Sequence, residues 1–329
     1  MNKFSIILPV KNGGDYLKEC VNSILAQTHT DFNLLVLENA STDDSLNWLQ
    51  QQNDSRIKII ASDISLSMVD NWSRIKDLDK NEFMTIIGHD DLLHPYYLEE
   101  MNRLIDIHPQ ASLYQSHFNF INETGVFLSK CQIMDEYQTA DNFLKCHILH
   151  TLDSMGTGYM FRSKDYDNLG GMPVNYPNLM FADYQLWIQL TSINYKATTE
   201  KVCFSYRLNN SVSRKTNGEL YQQAFESYVY FLVEEAKNDN KIKLVLDNYG
   251  KVLLMYYCES LCHRILKTNV YVRKLKVKDH IDKCIEYAKL LIPDQAFSPR
   301  KNFRIKIAEM FDSNFITRKI FYFFKKKYL

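Results

Sequence analysis

Apolar runs alternate with amphipathic stretches along the first part of the chain. Phe4-Ser5-Ile6-Ile7-Leu8-Pro9-Val10 predicts a buried strand that ends at Lys11 and turns through Asn12-Gly13-Gly14. Leu17, Cys20, Val21, Ile24 and Leu25 recur at helical spacing, with Asp15 as the expected N-cap. Phe32 to Leu37 predicts a second strand, which runs into Glu38-Asn39-Ala40-Ser41-Thr42-Asp43-Asp44. Ser41 followed by Asp44 has the form of a capping box for a helix through Leu46 and Leu49. Ile57 to Ile60 predicts a third strand, Asn71 to Leu78 a helix, and Phe83 to Ile87 a fourth strand stopped by Gly88. Farther on, Ala111–Ile121, Thr157–Phe161 and Val202–Tyr206 read as strands and Ala182–Ile193 as a helix with Leu186, Trp187 and Leu190 inward. Leu169-Gly170-Gly171 reads as a turn, and 122–156 is weakly patterned and expected as a loop region. Beyond Glu219 the pattern is helical and rich in aromatics such as Tyr221, Phe225, Tyr228, Tyr230 and Phe231.

Strand and helix in short alternation predict an α/β fold, a mostly parallel sheet with helices on both faces. Ligands of such sheets sit beyond the carboxyl ends of the strands. The loops starting at Lys11, Glu38, Ser62 and Gly88 all lie at that edge, and three of them carry acids or amides. In the last of them Asp90 and Asp91 stand side by side after His89. Two adjacent carboxylates repel unless a cation lies between them, and hard oxygen donors suit Mg²⁺ or Mn²⁺ carrying a diphosphate. Two solvated acids in a turn are the plainer alternative.

Charge changes the picture only in its distribution. Lys+Arg and Asp+Glu balance at 39 each, but the last 111 residues hold 21 of the bases and 13 of the acids. An acidic body with a basic end points that end toward an anionic surface. Residues 299–329 interleave nine bases with Phe303, Ile305, Ile307, Phe311, Phe315, Ile316, Ile320, Phe321, Phe323 and Phe324, as an in-plane membrane helix would. The alternative is a terminal helix packed on the body or on a second copy in a homo-oligomer. Nucleic acid fits poorly, because the body is acidic and carries no reading motif. Seven scattered cysteines without a Cys-x-x-Cys suit free thiols in a reducing compartment. Cys258, Cys262 and His263 could line one helical face as soft metal ligands, or simply fill space. The start of the chain lacks the pattern of a signal peptide, and no apolar run reaches the length of a spanning helix.

Taken in order, several runs resemble family 2 glycosyltransferases. They are Ser5 to Asn12, Tyr16-Leu17, Ser23 to Thr28, Glu38 to Asp43, Asn71-Trp72, Asp90-Asp91 with Pro95, Gly170-Gly171, Phe181 to Trp187 and Tyr206-Arg207. The resemblance implies a GT-A fold over 1–218, Rossmann-like with a mixed sheet flanked by helices, followed by a helical C-terminal region at 219–329. It also implies a nucleotide-sugar donor, with UDP favoured, a divalent metal, and transfer with inversion to a saccharide or lipid-linked acceptor in bacterial surface-polysaccharide synthesis. The expected location is cytoplasmic, peripheral at the inner face of the membrane.

The same resemblance implies residue roles. Asp91 is the expected direct metal ligand, with Asp90 on the ribose or on a metal-bound water. Asp183 is the expected base, needed to take the acceptor proton; an N-cap is its alternative role, and Ala182 stands where the family usually has an acid. Glu38 and Asn39 match the base-recognition pair. Pro9, Val10 and Asn12 would line the nucleobase, while Asp63 and Asn71 lie where such enzymes meet the nucleoside. A histidine usual after the Tyr206-Arg207 pair is missing, so Arg207, Arg214 or Lys215 would supply positive charge to the phosphates. Two other readings stay open: a degenerate nucleotide-binding scaffold within a glycan-assembly complex, and a sugar nucleotidyltransferase. The latter would need a richer phosphate loop than Lys11-Asn12-Gly13-Gly14.

Overall fold

A computed structural model describes residues 3–208, 215–269, 271 and 273–328, with side chains as far as 323. The described chain divides into two compact units, Met1–Val174 with Ala182–Ser211 and Asn175–Phe181 with Val212–Leu329. The segment 175–181, inside the expected 1–218 region, therefore clusters with the helical part of the chain.

The first unit is built on a ten-stranded mixed sheet whose main path runs β3-β2-β1-β4-β9-β6-β10-β5, with β7 paired to β6 and β8 to β10 beside it. The expected first strands are present as β1 (Phe4–Val10), β2 (Phe32–Asn39), β3 (Ile57–Ser62) and β4 (Phe83–Ile86). β1 pairs in parallel with both β2 and β4, and all seven of its residues are buried, which is why its sequence is a continuous apolar run. Helices α1 (Gly14–Leu25), α2 (Ser45–Gln50) and α3 (Met68–Ser73) connect these strands, and α4 (Tyr97–Ile107) follows the short β5 (Leu92–Leu93). The sheet turns mixed at β9 (Tyr159–Arg162), which runs antiparallel to β4 and to β6 (Leu113–Ile121).

Two expected caps do not form. Asp15 lies inside the first turn of α1, and the amides ahead of it are bound from the next loop instead: Gly13 N donates to Ser45 Oγ and Gly14 N to Asp43 Oδ2. Ser41 Oγ accepts from Asn12 N, and α2 starts after Asp44 without a side-chain cap. In both cases a partner in a neighbouring loop outcompetes the local one.

The region 122–156 is ordered into β7 (Phe127–Lys130), β8 (Tyr137–Gln138) and α5 (Ala140–Ile148), correcting the expected loop. α5 buries Phe143, Leu144, His147 and Ile148, and the His147 ring lies 3.9 Å from that of Tyr184 on α7 (Ala182–Ile193). Its apolar face is too short to stand out from one sequence. The last strand, expected over 202–206, is the twelve-residue β10 (Lys196–Arg207). Its first half is polar but paired: buried Lys196 donates to Gln138 Oε1 and Thr198 Oγ1, while Glu100 accepts from Thr199 and Lys201. Paired polar groups can be buried where unpaired ones cannot.

After α6 (Ser163–Asn168) and α7, the second unit is helical: α8 (Gly218–Asn238), α9 (Asn240–Lys267), α10 (Val277–Leu291), α11 (Phe303–Ser313) and α12 (Phe315–Tyr328). Asn217, Asp239 and Asn302 cap three of these helices through their side chains. Phe181 stacks on Tyr228 and meets Phe225 and Tyr257 edge-on or tilted, an aromatic core that explains the density of Phe and Tyr in this region. A buried Arg273–Asp312 ion pair, with Asp312 also accepting from Val277 N, fixes the segment before α10.

Candidate active site

The carboxyl ends of β1, β2 and β3 are laced to one another. Asn12, at φ +52°, accepts from Thr42 N through Oδ1 and donates its own amide to Ser41. Asn39 makes a two-way amide pair with Leu66, accepting from its N–H at 2.7 Å and donating to its carbonyl at 3.1 Å. Glu38 is wholly buried, and its carboxylate folds back to accept from Ala40 N and Ser41 N. Those bonds hold Ala40 in the left-handed region at φ +48°, a conformation costly for alanine. Arg74 ties the same edge together by donating to the Glu38 and Ile60 carbonyls and to Asn71 Oδ1.

Of the residues expected to meet the nucleotide, Pro9 and Val10 are buried strand ends, Asn12 is exposed at the rim, and Asp63 is exposed in the loop after β3. Glu38, Asn39 and Asn71 are buried with their side chains bonded to protein groups. A side chain in that state meets a base only through the donor or acceptor capacity those bonds leave spare.

Asp90 and Asp91 follow Gly88, and a Cβ at Gly88 would lie 2.8 Å from Asp90 Oδ1 and 3.0 Å from Asp91 Oδ2. The two carboxylates thus converge over a position that only glycine leaves open. Asp91 is 2% exposed; it accepts from Arg207 N through Oδ1 and from Thr157 Oγ1 through Oδ2. Burial first, and the neighbouring Asp90 charge second, push its carboxyl well above the usual range. Convergent hard oxygens whose charge the site otherwise resists are the donor set a divalent cation fits.

Arg207, expected at the phosphates, has its side chain in the interior. It donates to the Asp90 carbonyl at 2.7 Å, to the Glu123 carbonyl at 3.0 Å and to Glu19 Oε2 at 2.6 Å, with its guanidinium 4.6 Å from the Tyr16 ring centre. It is a brace for the acidic loop. Lys215 is exposed just before α8, and Arg214 lies outside the described residues, as do 209–213 where the missing histidine was sought.

The segment 154–158 joins the acidic pair to Asp183. Thr157 holds Asp91, while a Cβ on Gly156 would sit 3.6 Å from Asp183 Oδ2. Trp187 Nε1 donates to the Met155 carbonyl, and Gly158, at φ +80°, passes so close to the Phe204 ring that a Cβ would meet it at 3.0 Å. Asp183 is the second residue of α7, so it is not the N-cap of that helix. It keeps part of its surface open, yet the atoms crowded around its carboxyl raise its pKa by burial to about 6 against hydrogen bonds from the helix amides. Sequence reading missed Thr157, Gly156 and Arg74; only their proximity in the fold marks them.

The family model described as glycosyl transferase family 2 matches residues 5–167. An uncharacterized glycosyltransferase of Haemophilus influenzae is 23% identical over 285 residues, covering 81% of this chain and 84% of its own. TuaG of Bacillus subtilis, a putative teichuronic acid biosynthesis glycosyltransferase, is 24% identical over 73% of this chain and 97% of its own. The crystal structure of S. aureus TarS 1-349 in complex with UDP-GlcNAc is similar in fold, with a TM-score of 0.61 over 94% of this chain and 91% of that one at 14% identity. A mannosyltransferase from Pyrobaculum calidifontis, solved with GDP-Man and Mn²⁺, aligns at a TM-score of 0.52 and 12% identity over 97% of this chain and 86% of its own. These likenesses match the expected GT-A fold.

Proposed function

Residues 5–167 match glycosyl transferase family 2, and we propose that the chain moves a sugar, with inversion, from a nucleoside diphosphate to a saccharide or lipid-linked acceptor of a bacterial surface polysaccharide. The observation that carries this reading is the short segment 156–157, in which Thr157 bonds Asp91 and Gly156 lies against Asp183. The likeness to TuaG supports the polysaccharide assignment, and the UDP-GlcNAc bound by TarS supports a UDP-sugar.

Asp183 acts as base. The acceptor oxygen bonds to the anomeric carbon, its proton passes to the Asp183 carboxylate, and the bond from that carbon to the diphosphate breaks. Asp91, with Asp90 beside it, would hold Mn²⁺ or Mg²⁺, which supplies charge stabilisation to the leaving diphosphate. Thr157 and Arg207 keep Asp91 aimed. The nucleobase rests against the chain from Pro9 to Asn12 and beside Asp63, while Glu38, Asn39 and Asn71 hold the loops that receive it. A thermal-shift series with UDP and GDP, each with and without Mn²⁺, checks this. UDP with Mn²⁺ is expected to raise the melting temperature by a few degrees. Asp91→Asn should lose the Mn²⁺-dependent part, and an unchanged Mn²⁺ response in that variant refutes the metal assignment.

The C-terminal helix gives the membrane reading its support. Phe315, Ile316 and Phe323 on α12 are more than half exposed, next to Arg318 and Lys319, and among the described residues no helix is long and apolar enough to cross a membrane. We assign the protein a peripheral place on the anionic inner face of the cytoplasmic membrane. It should co-sediment with phosphatidylserine vesicles, release with added salt, and ignore phosphatidylcholine vesicles; equal binding to both would reject the charge argument.

A further inference from the structure

The second unit carries a group of soft ligands that sugar transfer does not use. Cys258 and Cys262 stand one turn apart on α9, and His280 and Cys284 one turn apart on α10. The ligand atoms of Cys258, Cys262 and His280 all lie within 4.8 Å of one another, and all three residues are buried. Cys284 Sγ lies 3.5 Å from His280 Nε2. The expected third ligand, His263, is not in the group: its place is taken by a histidine on the neighbouring helix, which no local spacing announces.

We propose that Cys258, Cys262, His280 and Cys284 form a structural Zn²⁺ site that clasps α9 to α10. Three sulfurs and one imidazole are a common structural zinc set. Ligand atoms of a tetrahedral zinc are about 3.8 Å apart, given Zn–S distances near 2.3 Å, so Cys258, Cys262 and His280, within 4.8 Å of one another, need a contraction of at most about 1 Å, and Cys284 closes in from its place beside His280. Two pairs at i, i+4 present the four groups from two packed helices, and α9 and α10 hold the geometry without a loop.

The full chain, purified without added chelator, should contain about one zinc per molecule by elemental analysis. Co²⁺ exchanged into it should give an intense thiolate-to-metal charge-transfer band in the near ultraviolet. The carboxylate pair at Asp90–Asp91 cannot give that band, so Asp91→Asn should keep both the zinc and the band. Cys258→Ser and His280→Gln should each lose most of the zinc, and Cys284→Ser should weaken its retention against a chelator at least tenfold. Wild-type protein, folded by circular dichroism, that neither holds zinc nor shows the Co²⁺ band would overturn the site. So would zinc that survives in Cys258→Ser but is lost in Asp91→Asn.

Discussion

Asp183→Asn is expected to lower kcat by about a thousandfold, within the range a general base contributes, while leaving UDP affinity within a fewfold of wild type. Asparagine keeps the size and the helix-facing hydrogen bonds but cannot accept the acceptor's proton. The wild-type pH profile gives an independent reading. Burial raises the Asp183 pKa to about 6; below that pH the carboxyl is protonated and cannot act, and above it the base is free. The kcat/KM of the wild type should therefore climb tenfold per pH unit below about 6 and level off above it. Initial rates across a pH series in both proteins test the point. A wild type whose rate is flat between pH 5 and 7, or an Asn variant with full kcat, removes Asp183 from the role.

Arg207→Met should cost about 3–5 kcal/mol of stability, measured by urea denaturation, and disable transfer with it. The side chain is buried and its donors are spent on the Asp90 and Glu123 carbonyls and on Glu19. Each buried carbonyl left without a donor costs about 1–3 kcal/mol. Lysine should rescue little, because a point charge cannot reproduce the planar fork that reaches three partners. An arginine whose only task was to touch phosphate would behave oppositely: Met would keep full stability and lose donor binding.

Much of the parallel half of the sheet was legible because strands buried on both faces must be apolar throughout. The acidic pair was legible because its charge is conspicuous after such a strand. What escaped had no local signal. β10 hides its first half behind buried Lys196 and the Glu100 partners, and α5 is short with a mixed face. Asp15 and Ser41 looked like caps because the eye compares neighbours in sequence, whereas through space Ser45 and Asp43 take the Gly13 and Gly14 amides and Ser41 takes that of Asn12. Arg207 read as a ligand for phosphate, since nothing in one sequence tells a surface arginine from an interior brace. His280 is separated from Cys262 by a helix end and a connecting segment, so spacing pointed to His263.

The contacts around Arg207 also set an order of assembly. The pair it makes with Glu19 closes a span of 188 residues, and its amide meets Asp91 across 116. Contacts between distant parts of a chain carry a loop-closure cost that local ones avoid. On the ribosome, β1 to β4 and their helices emerge long before β10, so the nascent chain can complete much of its parallel sheet while the acidic loop still lacks its brace. The acidic loop is thereby expected to gain its brace only when β10 docks.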